Sequence, residues 1–374
     1  MNNSKTGLRQ NSGIIRRLSV LVVSAIAVSL GSCASNAPSI ESSQTEASPA
    51  ATADELQVVT TFLPITQFTK AVVGDRAEVT QLLPTNAGPH DFQARPEDAQ
   101  RLTEADVLVQ NGLEMEEFLE DLVANADNPD LKIIDSSEGI ATISNEDVEG
   151  HEHAEGEDHA HDHAEGEDHA EVGHHHHGEY NPHIWLDPKR AIEQVENIRD
   201  GLIAADPEGE PEYTTNAAAY IQQLQDLDAE ITSTLQPYVG QTFVAFHDFA
   251  PYFAESYGLE AEFLVDIPEE NPSPEDVKRV TDKVQASNLK AILTEPQAGE
   301  SSFSALANDL NVAVSSFDPI ETGPPEALEP EYYLTIMRQN VESLVTAFGG
   351  SPQSFAPLPM LPVAVVPQQT GVRF

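Results

Sequence analysis

The sequence predicts an α/β protein with two lobes, each built on a mostly parallel sheet, joined by a single long, rigid helix. Two observations carry this prediction. Short β-rich runs alternate with helical patterns twice along the chain, as is typical of parallel sheets covered by helices. Between the two alternating sets, apolar residues recur at helical spacing over residues 211–235. At about 150 residues per domain, a chain of 374 residues is long enough for two lobes with buried cores.

The first alternating set predicts an N-terminal lobe over residues 54–210. Its strands are short runs rich in β-branched and apolar residues, and helical patterns separate them. The predicted strands are residues 57–62, 78–83, 106–110 and 132–135, and the predicted helices are residues 65–73, 96–104 and 115–126.

The linking helix at residues 211–236 leads into a C-terminal lobe at residues 237–349. Ser273 before Pro274, with Asp276 following, is typical of a helix start in this lobe. The tail at residues 350–374 is rich in proline, which predicts an extended or disordered segment. The predicted strands are residues 242–246, 261–265, 291–294 and 312–317, and the predicted helices are residues 248–257, 274–286, 303–308 and 332–348.

The N-terminus has the pattern of a secretion signal. Basic residues precede an apolar run at residues 18–30, which is too short to cross a bilayer as a helix. The run ends in Leu30-Gly31-Ser32-Cys33, which resembles a bacterial lipobox, where a peptidase cuts before the cysteine and the thiol receives lipid. We predict a lipoprotein signal peptide at residues 1–32, lipid attachment at Cys33 and a flexible tether at residues 33–53. The alternative is an ordinary signal peptide with an incidental buried cysteine.

These features predict an extracytoplasmic protein, periplasmic or at the cell surface, held to the membrane by its lipid anchor only.

The net charge of the chain excludes several classes of partner. The chain has 18 Lys and Arg against 63 Asp and Glu, and its formal net charge is −45. This balance argues against nucleic-acid binding and against docking on an anionic membrane surface, and it favours a small cationic ligand. The single cysteine excludes an intramolecular disulfide.

A low-complexity insertion at residues 145–179 contains ten of the 13 histidines and no Lys or Arg. Such a segment cannot build a core, so we expect a disordered loop. Imidazole and carboxylate groups at this density bind divalent transition metals weakly and in many arrangements. A cloning tag or a solvating spacer are the alternatives. The histidines predicted to bind metal weakly are His151, His153, His159, His161, His163, His169, His174, His175, His176 and His177.

Outside the insertion only His90, His183 and His247 remain, and each lies in a loop or beside a predicted strand end. Asp318 directly follows the last predicted strand. Ligands of open α/β sheets bind outside the carboxyl ends of the strands, so these four side chains could meet only in the cleft between the lobes. Three imidazoles and one carboxylate suit tetrahedral Zn²⁺, whereas a Mn²⁺ site is expected to have more oxygen ligands.

Each of these residues also has a purely structural interpretation. A lone histidine beside an aromatic residue is more often packed and hydrogen-bonded than a ligand. Asp318 before a proline is typical of a turn or a helix cap. Asp91 and Asp248 could accept a hydrogen bond from the neighbouring imidazoles or could cap the following helices. The prediction of a metal site therefore depends on the set and not on any one member.

Seven short motifs occur along residues 57–348 in the order of a known protein family. The chain resembles the cluster A-I substrate-binding proteins of ABC metal importers, and specifically their zinc-binding ZnuA-type branch. The motifs are Thr60-Thr-Phe-Leu-Pro-Ile, Gly88-Pro-His-Asp-Phe, Asn111-Gly-Leu-Glu, Asn181-Pro-His-Ile-Trp-Leu-Asp-Pro, Phe246-His-Asp-Phe, Glu295-Pro-Gln and Phe317-Asp-Pro.

The resemblance implies two lobes joined by one rigid helix, with the metal between them. His90, His183 and His247 match the three histidine ligands of the family, and Asp318 matches the acidic position that completes manganese-type sites. In zinc-type members a water or another carboxylate can take that place. The manganese branch has Glu where this chain has His247, which favours zinc. The histidine-rich insertion is also a feature of zinc-type members, whereas the second-lobe cysteine pair of some relatives is absent here.

The sequence thus predicts a monomeric binding protein, not an enzyme, that captures Zn²⁺ and delivers it to an ABC permease with its ATPase. The insertion would collect or sense zinc. Manganese transport on the same scaffold is the nearest alternative. Two others are a metal buffer or surface adhesin without transport, and an extracytoplasmic zinc hydrolase. The sequence lacks the His-Glu-x-x-His motif of many zinc hydrolases.

Overall fold

Two parallel four-stranded sheets organise the chain. The structure is a computed structural model that describes residues 56–90, 92–145, 178–265, 277–279, 281–282, 291–296, 307–308 and 312–351. All pairings between these strands are parallel, with the orders β2-β1-β3-β4 and β6-β5-β7-β8, which confirms the predicted α/β class. The first sheet contains β1 (Gln57–Thr60), β2 (Glu78–Gln81), β3 (Val107–Gln110) and β4 (Lys132–Asp135). The second contains β5 (Thr242–His247), β6 (Glu260–Val265), β7 (Ala291–Thr294) and β8 (Ala313–Ser316).

Helices connect the strands and cover the sheets. Proline lies in the first turn of most of them, where its missing N–H has no helical partner to lose. The helices are α1 (Leu63–Val73), α2 (Pro96–Glu104), α3 (Leu119–Ala126), α4 (Pro188–Ala205), α5 (Glu210–Leu235), α6 (Pro251–Tyr257) and α7 (Pro330–Ala347).

Helix α4 was not among the predicted elements, although its start signal is plain. Asp187 caps the helix, because its side chain accepts a hydrogen bond from the backbone N–H of Lys189 at 3.1 Å. Helix α3 begins at Leu119, four residues later than predicted, because residues 115–118 form turns. Helix α6 likewise begins after the predicted start, at Pro251.

Helix α5, with 26 residues, carries the chain from the first sheet to the second. We call the residues before it the first lobe and those after it the second lobe. Its buried side chains recur every three to four residues from Tyr213 to Leu235, and they pack against α1, α4 and α7. The hydroxyl of Tyr220, on α5, donates to the carbonyl of Pro330, the first residue of α7, at 3.1 Å. The long helix therefore packs against helices from both lobes.

Trp185 belongs to the core, as its surroundings show. Its side chain is fully buried, and its ring meets Phe62 edge-on with centroids 5.1 Å apart. Its indole N–H donates to the carbonyl of Pro319 at 2.8 Å, and its own carbonyl accepts from the hydroxyl of Tyr333 at 2.7 Å. These bonds tie a first-lobe segment to the second lobe.

Several predictions fall on residues outside the described part of the chain. They are the signal peptide, Cys33 with the tether, residues 146–177 of the insertion, Asp91, the tail from residue 352, and most of the helices expected at residues 274–286 and 303–308. Within the described part, no helix has the length and apolar character needed to cross a membrane.

The two ends of the insertion are paired with each other. Ser144 and Tyr180 form an isolated antiparallel bridge. Beside it, Asn145 donates from its backbone N–H to the carbonyl of Glu179 at 3.1 Å and from its side chain to the carbonyl of Gly178 at 2.7 Å. The segments on either side of residues 146–177 therefore lie beside each other, and the second of them leads to His183.

Candidate metal centre

Four side chains from the two lobes meet in one group. His90, His183, His247 and Glu321 each offer one ligand atom, and these atoms lie within 4.8 Å of one another. Oε1 of Glu321 is 3.3 Å from Nε2 of His90, 3.3 Å from Nε2 of His183 and 3.5 Å from Nε2 of His247. A tetrahedral site with bonds of about 2.0–2.1 Å places its ligand atoms roughly 3.3 Å apart. The three distances to Oε1 of Glu321 therefore match the spacing of ligand atoms in a tetrahedral metal site.

His90 lies in the loop between β2 and α2. This loop contacts the loop that carries Glu321, because the backbone N–H of Gly323 donates to the carbonyl of Thr85 at 2.6 Å. The two Nε2 atoms of His90 and His183 are 3.3 Å apart, and both belong to the first lobe. The first lobe thus supplies two imidazoles to one side of the group.

His183 lies in the segment between the insertion and α4, and it is fully buried. Its Nδ1 is 3.0 Å from Oδ1 of Asn181, which also accepts from the backbone N–H of His183 at 3.1 Å. Burial lowers the pKa of His183 to about 4, chiefly because the charged imidazolium is desolvated there. At neutral pH this histidine is therefore uncharged, with a lone pair available for a metal.

His247 is the last residue of β5, and Glu295 follows the end of β7. Nδ1 of His247 is 2.7 Å from Oε1 of Glu295, which also accepts from the backbone N–H of His247 at 3.2 Å. Burial alone lowers the pKa of His247, but the carboxylates of Glu295 and Glu321 outweigh it and hold the pKa well above its ordinary value. A metal ion must displace the proton that these carboxylates retain on the ring.

Glu321 holds the place for which the sequence suggested Asp318. Its side chain is 3% exposed. Burial raises its pKa, but the three imidazoles outweigh this and hold the pKa well below its ordinary value. The preceding residue, Ile320, has φ of 65°, which is a strained conformation for a β-branched residue. This turn directs the chain so that Glu321 reaches the imidazoles.

Asp318 lies outside the four-residue group and stabilises the turn that leads to it. Its Oδ1 accepts from the backbone N–H of Ile320 at 2.8 Å, and its own N–H and carbonyl pair with the side chain of Asn340, both at 2.8 Å. Burial raises the pKa of Asp318 to about 6. The turn interpretation of the Asp-Pro pair thus describes Asp318. The carboxylate that lies in the four-residue group is that of Glu321, three residues later.

The side chain of Asp248 makes no hydrogen bond to the imidazole ring of His183 or of His247. Its carbonyl and its Oδ2 accept from the side-chain amide of Asn181, at 2.8 and 3.1 Å. The aspartate thus supports His183 through an intermediate residue, and the carboxylate that supports His247 is Glu295, which the sequence analysis did not select.

The chain matches a family model, several curated proteins and several solved structures. The family model described as "ZnuA: Zinc-uptake complex component A periplasmic" matches residues 58–347. The chain is 31% identical over 292 residues to the zinc-binding protein AdcA of Streptococcus pyogenes, covering 78% of this chain and 55% of that protein. It is 30% identical over 332 residues to the zinc-binding lipoprotein AdcA of Streptococcus pneumoniae, covering 88% of this chain and 60% of that protein. The chain thus spans somewhat more than half the length of these curated relatives.

A relative named for another metal also matches. The manganese-binding lipoprotein MntA of Halalkalibacterium halodurans is 29% identical over 294 residues, covering 78% of this chain and 88% of that protein. Among solved structures, the Zn(II)-bound ZnuA-like domain of Streptococcus pneumoniae AdcA superimposes with a TM-score of 0.63 at 27% identity, over 78% of this chain and 98% of that domain. The match to the family model, over residues 58–347, includes all four residues of the candidate centre. The chain therefore belongs to the ZnuA family of zinc-uptake component A proteins.

Proposed function

We propose that the protein captures Zn²⁺ outside the cytoplasm and delivers it to an ABC permease. The observation that carries this proposal is the group of three imidazole nitrogens around one carboxylate oxygen, at 3.3–3.5 Å. His90, His183, His247 and Glu321 are the proposed ligands. Glu321 replaces Asp318 in this role because the carboxylate of Asp318 is engaged in its own turn.

The choice of zinc follows from the donor atoms. Three nitrogens and one oxygen suit Zn²⁺, whereas Mn²⁺ prefers a larger number of oxygen ligands. The similarity to proteins named zinc-binding supports this choice, and the similarity to a manganese-binding lipoprotein makes Mn²⁺ the competitor to test.

The number of protein ligands favours metal binding without catalysis. A catalytic zinc has three protein ligands and keeps an open position for water or substrate. Four protein ligands from two lobes fill a tetrahedral site, so this centre favours capture over hydrolysis. We therefore propose a solute-binding protein and not an enzyme.

The remaining parts of the proposal concern location and partners. The family description places its members in the periplasm, and the pneumococcal relative is named a lipoprotein. We propose that Cys33 carries the lipid, that the protein works as a monomer, and that the permease acts with its ATPase. The insertion histidines would bind zinc weakly beside the segment that leads to His183.

Zinc titration in the presence of a competing chelator tests the centre. The chelator suppresses weak binding by the insertion, so only a tight site registers. We expect one tight Zn²⁺ per chain, a much weaker competition by Mn²⁺, and loss of the tight site in His183→Ala. A folded His183→Ala variant that keeps the tight site would refute the assignment, and tighter binding of Mn²⁺ would reverse the choice of metal.

A further inference from the structure

We propose that Asn181 and Asp248 are positioning residues that fix the tautomer of His183 and tie this imidazole to the second lobe. The inference rests on the proposed function for its consequence, which is zinc affinity. Its structural content, the position of one proton on one ring, is independent of any metal.

The orientation of the Asn181 amide is determined by its partners. Nδ2 faces the carbonyl oxygen of Asp248 at 2.8 Å and Oδ2 of the same residue at 3.1 Å. Both of these oxygens act as acceptors here, so the NH₂ group of Asn181 must point toward them. Its Oδ1 consequently faces His183. Asn181 is completely buried, so water does not compete for these bonds.

The orientation of the Asn181 amide determines which ring nitrogen of His183 carries the proton. Oδ1 of Asn181 can only accept, and Nδ1 of His183 lies 3.0 Å away, so Nδ1 must carry the hydrogen. Nε2 is then the unprotonated nitrogen. It lies 3.3 Å from Oε1 of Glu321, a longer distance than the 3.0 Å between Nδ1 and Oδ1, and that carboxylate can accept from two other imidazoles. The bond from the backbone N–H of His183 to the same oxygen, at 3.1 Å, holds the ring and the chain in one arrangement.

The two lobes produce the same tautomer by different chemistry. In the second lobe, Glu295 accepts directly from Nδ1 of His247. For His183 an amide stands between the ring and the carboxylate of Asp248. This arrangement keeps a negative charge away from Nδ1 of His183 while still orienting the ring. Because Asp248 immediately follows His247 in the chain, the amide also links two proposed ligands of different lobes.

Tyr252 also holds Asn181 in place, through a bond from the second lobe to the first. The hydroxyl of Tyr252, on α6, donates to the carbonyl of Asn181 at 2.6 Å and accepts from the backbone N–H of Ile143 at 3.0 Å. Tyr252 is fully buried and packs with Ile184 in a small apolar cluster between the lobes. The backbone of Asn181 is therefore fixed as firmly as its side chain, as a positioning role requires.

A reciprocal exchange of the two side chains tests the proposal in the full chain. Asn181→Asp puts a carboxylate oxygen where Nδ2 now lies, 3.1 Å from Oδ2 of Asp248, so two buried carboxylates repel or share a proton. We expect zinc affinity to fall by about 10- to 100-fold, as is typical when the partner of a metal-binding histidine is changed. Adding Asp248→Asn replaces the second carboxylate by an amide that can donate, whereas the carbonyl of residue 248, which accepts from Nδ2 at 2.8 Å in the wild type, still lacks its donor. We therefore expect a partial recovery of the affinity.

The position of the proton is read by ¹⁵N NMR of the imidazoles in the metal-free protein. We expect Nδ1–H on His183 in the wild type, in Asn181→Asp and in the exchanged double variant, because each keeps an oxygen acceptor facing Nδ1. Asn181→Leu removes this acceptor, and we expect it to lose the preference for Nδ1–H. Asn128→Asp is the matched control, because it makes the same chemical change in a loop bonded to the carbonyls of Leu102 and Ala105. It should alter stability but neither the His183 proton nor the zinc affinity.

Three results would overturn the proposal. One is Nε2–H on His183 in the metal-free wild type, which can be seen whether or not any variant folds. Another is a folded Asn181→Leu variant in which His183 keeps Nδ1–H as in the wild type. The third is a folded Asn181→Asp variant with unchanged zinc affinity, or with a loss that the added Asp248→Asn does not reduce. If the wild type lacks a tight zinc site, the proposed function fails, while the NMR result still decides the proton position.

Discussion

Nδ1 of His247 lies 2.7 Å from Oε1 of Glu295, and the two residues stand at the ends of the neighbouring strands β5 and β7. Both side chains are 2% exposed. A carboxylate in this position orients the ring and raises its basicity, which strengthens a histidine as a metal ligand. The same pairing makes the metal-free protein retain a proton on His247.

Glu295→Gln tests this pairing through stability. The raised pKa of His247 means that its contribution is complete below the unfolded pKa of about 6.5 and is lost as pH rises through the folded pKa. We expect the variant to lower the free energy of unfolding of the metal-free protein by on the order of 1.5–3 kcal/mol below that pH, the value of a hydrogen bond to a charged group. The difference from wild type should shrink in alkaline solution. Urea denaturation at several pH values measures it, and a pH-independent difference would contradict the pairing.

Glu321→Gln and Asp318→Asn form a matched pair at the two carboxylates of one loop. Glu321→Gln removes a charged proposed ligand, so we expect zinc affinity to fall by at least about 100-fold, or roughly 2.7 kcal/mol. Asp318→Asn should leave the affinity within about threefold, because this side chain accepts from the backbone N–H of Ile320 and lies outside the group. Chelator competition measures both. A larger loss in Asp318→Asn than in Glu321→Gln would return the ligand role to Asp318.

Glu116 is a buried carboxylate outside the four-residue group. It accepts from the hydroxyl of Thr61 at 2.7 Å and from the backbone N–H groups of Asn111 and Gly112, at 2.7 and 3.2 Å. Burial nevertheless raises the pKa of Glu116 to about 7. Because the folded state retains this proton more tightly than the unfolded chain, stability falls as pH rises from about 4.5 through 7.

Glu116→Gln should therefore remove a part of the pH dependence worth on the order of 3 kcal/mol. Thermal unfolding of the metal-free protein between pH 5 and pH 8 measures this part. Glu117→Gln is the control, since the side chain of that neighbouring residue is exposed. Equal pH profiles for Glu116→Gln and the wild type would be incompatible with the expected protonation.

Tyr252→Phe tests the junction between the lobes. The change removes two hydrogen bonds, to the carbonyl of Asn181 and from the backbone N–H of Ile143, and leaves the buried ring in place. We expect a loss of about 1–3 kcal/mol in the free energy of unfolding. Tyr220→Phe removes the single bond to Pro330 and should cost less. Urea denaturation compares the two variants, and a smaller loss for Tyr252→Phe would contradict the bridging role of its hydroxyl.

Much of the fold could be read from local patterns. The alternation of strands and helices, the helical spacing of α5 and the proline-marked helix starts are all set by residues close together in the chain. Helix α4 was not predicted, although Asp187 and Pro188 mark its start. The local patterns also placed the starts of α3 and α6 several residues too early.

The sequence by itself determined which histidines were available, since only His90, His183 and His247 lie outside the insertion, and it placed them in loops or beside a strand end. The tertiary structure decided which other side chains join them. Asp318 and Glu321 are three residues apart, and only the turn at Ile320 determines which carboxylate reaches the imidazoles. Glu295 and Asn181 acquire their roles from contacts between segments 48 and 67 residues apart in the chain, namely with His247 and Asp248. Such contacts exist only after the sheets have formed and the lobes have packed, so the chemistry of the centre is a property of the folded chain.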